Sequence, residues 1–277
     1  MLEISSHRGQ PCRMTDLTET RHGAVAELRL NRPAARNALS RALIADLHAA
    51  VTRLRRDPSI HVLVIAAEGP VFSAGHDLKE ITAARSSPDR GRAFFEETMA
   101  ACSAMMQAIV TCPKPVIAAV QGTATAAGCQ LVASCDLAVA STGARFATPG
   151  VDIGLFCSTP MVALSRNVGR KAAMEMLLTG VHVDAGRARE IGLVNRVVEP
   201  EVLMGEAHAL ATEIAGKSPK TLRIGKEAFY AQAEMPLAEA YDYAARAMVE
   251  NLLIRDAEEG IGAFIKKRPP SWETLDE

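Results

Sequence analysis

Between Pro115 and Asp136 the chain reads PVIAAVQGTATAAGCQLVASCD, an order of residues suited to holding a developing negative charge. The apolar first half, closing at Gly122, predicts a buried strand, and after a small-residue turn a helix is expected from about Ala126. A strand feeding a helix in this way aims unpaired backbone N–H groups at the space above the strand end. Donors fixed by the backbone stabilise an oxyanion without reorganising during a reaction. Just inside the helix, a carboxylate could move protons at the same spot. Gln130 stands there instead, an amide that does not titrate near neutral pH.

The elements that must position this turn follow from periodicity and caps. AVAELRLNRP reads as a strand ended by Pro33, and Ser40 caps a helix whose Leu43, Ile44, Leu47, Val51 and Leu54 share one face. HVLVIAA (residues 61–67) is a buried strand, EGPVFSAGHD a turn, and Asp77 the cap of a short helix. A longer helix is expected over residues 87–110, then the strand 115–120, the helix from about 126 and a strand over 137–141. Helices resume near Pro160, Asp184 caps one that Gly192 ends, and LVNRVV is a last strand. From Glu201 the chain reads as helix throughout, with Ser218-Pro219 as an N-cap and first-turn pair. Alternation of strands and helices followed by a helical tail means an α/β core over residues 17–199 and a helical region over 200–277.

Composition narrows the field. The 277 residues have a formal net charge of −1, which gives no electrostatic reason to expect a nucleic acid or an anionic membrane as partner. Aromatics are only 4% against 48% hydrophobic residues, so Ala, Val, Leu and Met must fill the interior. No apolar run reaches the roughly 18 residues of a membrane span. The six cysteines form no CxxC pair and several sit in apolar runs, which points to reduced thiols and a cytoplasmic location. Cys129 and Cys157 read as packing residues rather than nucleophiles. Residues 1–16 lack the apolar stretch of a signal peptide and read as a disordered leader, with Met14 as an alternative start. No nucleophile elbow, phosphate loop, dinucleotide fingerprint or HExxH appears.

Several segments together resemble the enoyl-CoA hydratase/isomerase (crotonase) family: LNRPAARNAL (30–39), VFSAGHDLKE (71–80), KPVIAAVQGTATAAGCQLVASCD (114–136), ARFATPGVDIGL (144–155) and MEMLLTGVHVDAGRAREIGLVNRVV (174–198). EGIGAFIKKR near the C-terminus extends the match, and the similarity covers nearly everything after residue 17 in the family's order. The resemblance implies an α/β, crotonase-like spiral of ββα units with a C-terminal helical trimerisation region, assembled as a homotrimer or a dimer of trimers. It implies an acyl-CoA thioester as ligand or substrate, no metal and no further cofactor. A thioester enolate would be held by the backbone N–H groups of His76 and Ala127. Arg36, Ala38, Ala74, His76, Asp77, Leu78, Ala126, Pro149 and Lys267 would line the substrate. Arg36 suits a pyrophosphate, and the basic residues 266–268 a CoA phosphate, from the same or a neighbouring subunit.

The pattern breaks at the two acid/base positions. GCQL laid on the family's GCEL puts Gln130 at the first, and FATPG laid on F-x-x-P-E puts Gly150 at the second. Loss of one general acid or base costs about 10²–10⁴-fold, and loss of both removes the hydration mechanism. Asp152 is the candidate substitute acid, since on an extended segment it would share Gly150's face; Ser158 occupies the position where some isomerases of the family carry an acid. Two functions remain open. One is oxyanion-hole chemistry with non-standard proton transfer: isomerisation, decarboxylation, thioester cleavage or weak hydration. The other is a non-catalytic acyl-CoA binder or regulator. Restoring glutamate at both 130 and 150 is expected to install crotonyl-CoA hydration.

Overall fold

The structure, a computed structural model, describes residues 15–272. Most of the expected leader, with Met14 and Cys12, lies outside the described residues. Thr15 and Asp16 are tied down: Asn31 N–H donates to the Asp16 carbonyl (2.8 Å), and the Asp16 carboxylate pairs with Arg32 (3.1 Å).

The described residues form ten strands: β1 (Leu17–His22), β2 (Val25–Leu30), β3 (Val62–Ala67), β4 (Val71–Ser73), β5 (Val116–Val120), β6 (Thr123–Thr125), β7 (Leu137–Ser141), β8 (Arg145–Ala147), β9 (Val183–Asp184) and β10 (Arg196–Val198). The helices of the core are α1 (Arg41–Leu54), α2 (Leu78–Ala84), α3 (Arg92–Val110), α4 (Ala127–Ser134), α5 (Pro160–Asn167), α6 (Arg170–Thr179), α7 (Ala185–Glu190) and α8 (Leu203–Ala215). The tail adds α9 (Pro219–Gln232), α10 (Leu237–Leu253) and α11 (Arg255–Ile265).

The strands form two sheets, in the orders β1-β2-β3-β5-β7-β10 and β4-β6-β8-β9. Each ββα unit sends its first strand (β3, β5, β7) to the large sheet and its second (β4, β6, β8) to the small one. The next unit lies alongside in parallel register, so the chain advances one strand per turn in both sheets. This is the spiral that the resemblance implies.

Period two distributes the core. In β2, Ala26, Leu28 and Leu30 join the main core with Leu43, Ile44 and Leu47 of α1, while Val25 faces the opposite layer with Val62, Val64 and Leu210 of α8. The first helix beyond residue 199 therefore completes a layer of the core. Further along, Lys226 pairs with Asp136 (2.6 Å) and Tyr230 O–H donates to the same carboxylate (2.9 Å), pinning α9 to the start of β7. The expected caps hold: Ser40, Asp77, Asp184 and Ser218 each accept a backbone N–H. One helix starts later than expected, at Arg92 rather than 87. Ser87 and Asp89 hydrogen-bond to each other and to nearby backbone, closing a turn that competes with helix, and Gly91 follows at φ 90°.

Candidate active site

The two expected donor N–H groups arrive from neighbouring turns of the spiral. Leu39 N–H donates to Gly75 O (2.7 Å) and Asp77 N–H to Leu39 O (3.2 Å), a parallel bridge centred on His76. In such a bridge the central residue's own N–H points away from the partner strand. Ala127 is the first residue of α4, where an N–H has no partner within the helix. The two segments touch: a β-carbon added at Gly75 would stand 3.1 Å from the Ala127 nitrogen. Gly128 is equally constrained, since its β-carbon would meet Ser73 O at 2.3 Å. Glycine at 75 and 128 lets the two loops approach this closely.

The turn into α4 is strained. Ala126 has φ 50° and ψ −119°, the conformation of the first central residue in a type II′ turn, which glycine usually fills. Its N–H donates to Ala147 O (2.9 Å) and its carbonyl accepts from Gln130 N–H (3.0 Å), so the surroundings fix it at both ends.

Among the described residues, four buried side-chain atoms have no protein hydrogen-bond partner: His76 Nε2, Gln121 Oε1, Gln130 Oε1 and Thr148 Oγ1, of which His76 and Gln130 lie on the two oxyanion segments. Buried polar atoms are normally paired, and exceptions concentrate where a ligand or water is received. Burial pulls the His76 imidazole below its ordinary range, which keeps it neutral.

The loop before α1 is braced by residues that the sequence reading did not single out. Buried Asn37, at φ 50°, donates to Glu68 O (2.8 Å) and Val71 O (2.7 Å) and accepts from Arg32 N–H (2.8 Å). Arg32 donates to Ala38 O (2.5 Å) and pairs with Asp77 (3.2 Å), and Ser73 Oγ donates to Asn37 O (2.9 Å). A polar residue that tolerates positive φ, placed between two apolar stretches, was the available signal for Asn37.

Of the remaining candidates, Ala38 and Ala74 lie half-buried on the braced loops, and Asp77 spends its carboxylate on Lys79 N–H (3.0 Å) and Arg32. Leu78 opens α2 with its side chain exposed, and Pro149 opens a 3₁₀ turn, Pro149–Ile153. Arg36 is exposed at φ 53° beside the site. Lys267 is exposed beyond α11, and among the described residues no hydrogen bond or ion pair ties it to the oxyanion segments.

The acid/base positions differ from each other. Gln130 is buried in the first turn of α4. At Gly150, a β-carbon would lie 2.9 Å from Leu155 O and 3.0 Å from Cys157 Sγ, so the space where a glutamate would begin is filled. The condition set for Asp152 is not met. It lies in the 3₁₀ turn, not an extended segment, is exposed, and turns its carboxylate toward Gly180, whose added β-carbon would be 3.0 Å from Oδ2. Cys129 and Cys157 are buried; burial, with the nearby Cys157, pushes the Cys129 thiol up to about 12. Burial likewise raises the Cys157 thiol, so the thiolate form that a nucleophile needs is disfavoured at both.

A family model described as enoyl-CoA hydratase/isomerase matches residues 20–275. The rat enoyl-CoA hydratase domain-containing protein 3, mitochondrial, is 48% identical over 257 residues, covering 92% of this chain and 84% of its own. The solved structure of an enoyl-CoA hydratase from Mycobacterium smegmatis is 50% identical with a TM-score of 0.89, covering 94% of this chain and 99% of its own. That of human enoyl-CoA hydratase domain-containing protein 3 is 45% identical with a TM-score of 0.89, covering 93% and 100%. The names of the rat and human relatives carry the word mitochondrial, which contradicts the expected cytoplasmic location. Its premise was weak physically: thiols buried in the core stay reduced because nothing reaches them, whatever the compartment.

Proposed function

Because this chain belongs to the enoyl-CoA hydratase/isomerase family, we propose that it binds an acyl-CoA thioester and holds the thioester oxygen between the N–H groups of His76 and Ala127. The observation that carries this reading is the close approach of Gly75 to Ala127, where an added β-carbon would stand 3.1 Å from the Ala127 nitrogen, so that two N–H-bearing loops lie together. Both donors are backbone, and one such donor contributes about 2.7–4 kcal/mol to an enolate-like transition state. Arg36, exposed beside the braced loop, suits the CoA pyrophosphate.

The chemistry that this arrangement favours is enolate-stabilised and is not ordinary hydration. Gln130 can donate or accept a hydrogen bond beside the acyl group but cannot exchange a proton, and Gly150 offers nothing. Isomerisation, decarboxylation or thioester cleavage fits such a site. A second reading, a non-catalytic acyl-CoA binder, is favoured by the filled space behind Gly150.

Calorimetry against saturated and α,β-unsaturated acyl-CoA thioesters, with product analysis by mass spectrometry, separates the readings. Binding with turnover is expected, and Ala127→Pro, which keeps helical φ at the first position but removes the N–H, should lower turnover about 10²–10³-fold in a variant that stays folded. Binding without any turnover selects the second reading. No binding of any CoA compound sinks both.

A further inference from the structure

Away from the oxyanion loops, at the end of the large sheet where its parallel strands begin, two histidines and a glutamate converge. His22 closes β1 and pairs with Val25, the first residue of β2; Glu27 follows two residues on, on the face that α8 covers. His208 comes from α8, one residue past the buried Ala207. His208 Nε2 lies 2.8 Å and His22 Nε2 3.9 Å from Glu27 Oε2, and the three donor atoms all fall within 4.8 Å of one another. The imidazoles meet edge to face with centroids 4.5 Å apart. Arg29 Nε and Nη2 hold the other carboxylate oxygen, Oε1, at 2.7 and 2.6 Å, which leaves Oε2 turned to the rings.

We propose that His22, Glu27 and His208 form a zinc-class metal site that clasps α8 to the β1–β2 hairpin. Two imidazoles and one carboxylate are a recurrent three-ligand set for zinc, with the fourth position left to water. Tetrahedral coordination at bonds of 2.0–2.1 Å requires donors about 3.3 Å apart. The two distances to Glu27, 2.8 and 3.9 Å, bracket that value, and the two imidazole donors lie within 4.8 Å of each other, so a shift of the His22 side chain brings the set together. His22, half exposed, has the freedom to make that shift, whereas Glu27 is fixed by Arg29 in the way that outer hydrogen bonds fix ligating carboxylates. None of the three residues belongs to the oxyanion segments, and the site takes no part in the chemistry proposed there.

Titration of the full-length, metal-free protein with zinc chloride by calorimetry, with cobalt(II) absorbance as a second probe, tests the site. One ion per protomer is expected, with a rise in melting temperature on zinc addition. His22→Gln, at an exposed position that the fold does not need, should weaken binding by at least about tenfold, and His208→Gln should do the same. Absence of zinc binding to the wild type, or binding unchanged in folded His22→Gln, overturns the assignment.

Discussion

A glutamate at position 130 would enter a space that already holds an amide of the same length, whereas one at 150 would have to displace the Leu155 carbonyl. The restoration of both acids, expected from the sequence to install hydration, is therefore not one experiment but two. Gly150→Glu is expected to lose about 1–3 kcal/mol of stability through overpacking, read as a lowered urea midpoint. Gln130→Glu should keep the fold and raise crotonyl-CoA hydration up to about 10²-fold, because a carboxyl buried there is held protonated longer and can act as an acid. An inert, folded Gln130→Glu would place the proton-transfer position elsewhere. His76 gives a prediction in pH. Burial lowers its folded-state pKa below the ordinary 6.5, so between the two values the unfolded chain binds the proton and the folded chain does not. Stability is thus full above about pH 6.5 and falls as pH drops through the folded value. Urea midpoints measured from pH 5 to 8 should show this slope, and His76→Gln should flatten it.

The turn into α4 is where local preference and the site disagree. The sequence made the strand, the small-residue turn and the helix legible, because apolar runs and small residues signal them directly. It did not show that Ala126 takes positive φ, since nothing in an Ala-Ala-Gly run marks which residue turns. Strain of this kind costs about 1–3 kcal/mol, against about 0.5–1 kcal/mol for the added freedom of glycine in the unfolded chain. Ala126→Gly is therefore expected to stabilise the protein by about 1 kcal/mol, raising Tm by about 2–4 °C in a scanning calorimeter. A lower Tm would mean that contacts of the methyl group outweigh the strain. The caps at Ser40, Asp77, Asp184 and Ser218 were legible for the same local reason as α4. The bracing of the site by Asn37 and Arg32 was not, because its partners Glu68, Val71 and Asp77 lie 31 to 45 residues away. Asp152 misled for a related reason: its direction depends on whether the segment is extended or a 3₁₀ turn, and both fit TPGVDIG.

At the scale of the whole molecule, the core accounts for residues up to α8 and leaves the tail unexplained. The described part of α9 buries only Pro219, and α10 only Ala240. Yet Leu237, Tyr241, Leu253, Phe264 and Ile265 are 72–84% exposed on α10 and α11. Isolated apolar residues on a surface are ordinary, but a group of this size confined to two helices is the kind of surface that associates. The family resemblance and the exposed faces together favour self-association through this tail, in closed rotational symmetry. Analytical ultracentrifugation should find a species of at least three times the 29.5 kDa chain mass at micromolar concentration. The double variant Leu253→Asp with Phe264→Asp should shift it toward the monomer while leaving the far-UV circular dichroism of the core in place, since both side chains are more than 70% exposed in the single chain. Lys267 adds a functional readout, because it is exposed just beyond α11 and, among the described residues, not tied to its own site. If a neighbouring subunit's Lys267 reaches the CoA phosphates, dissociation and Lys267→Ala should weaken acyl-CoA binding alike. A wild-type protein that sediments as a monomer, or a dissociated variant that binds acyl-CoA unchanged, would remove the tail from the site.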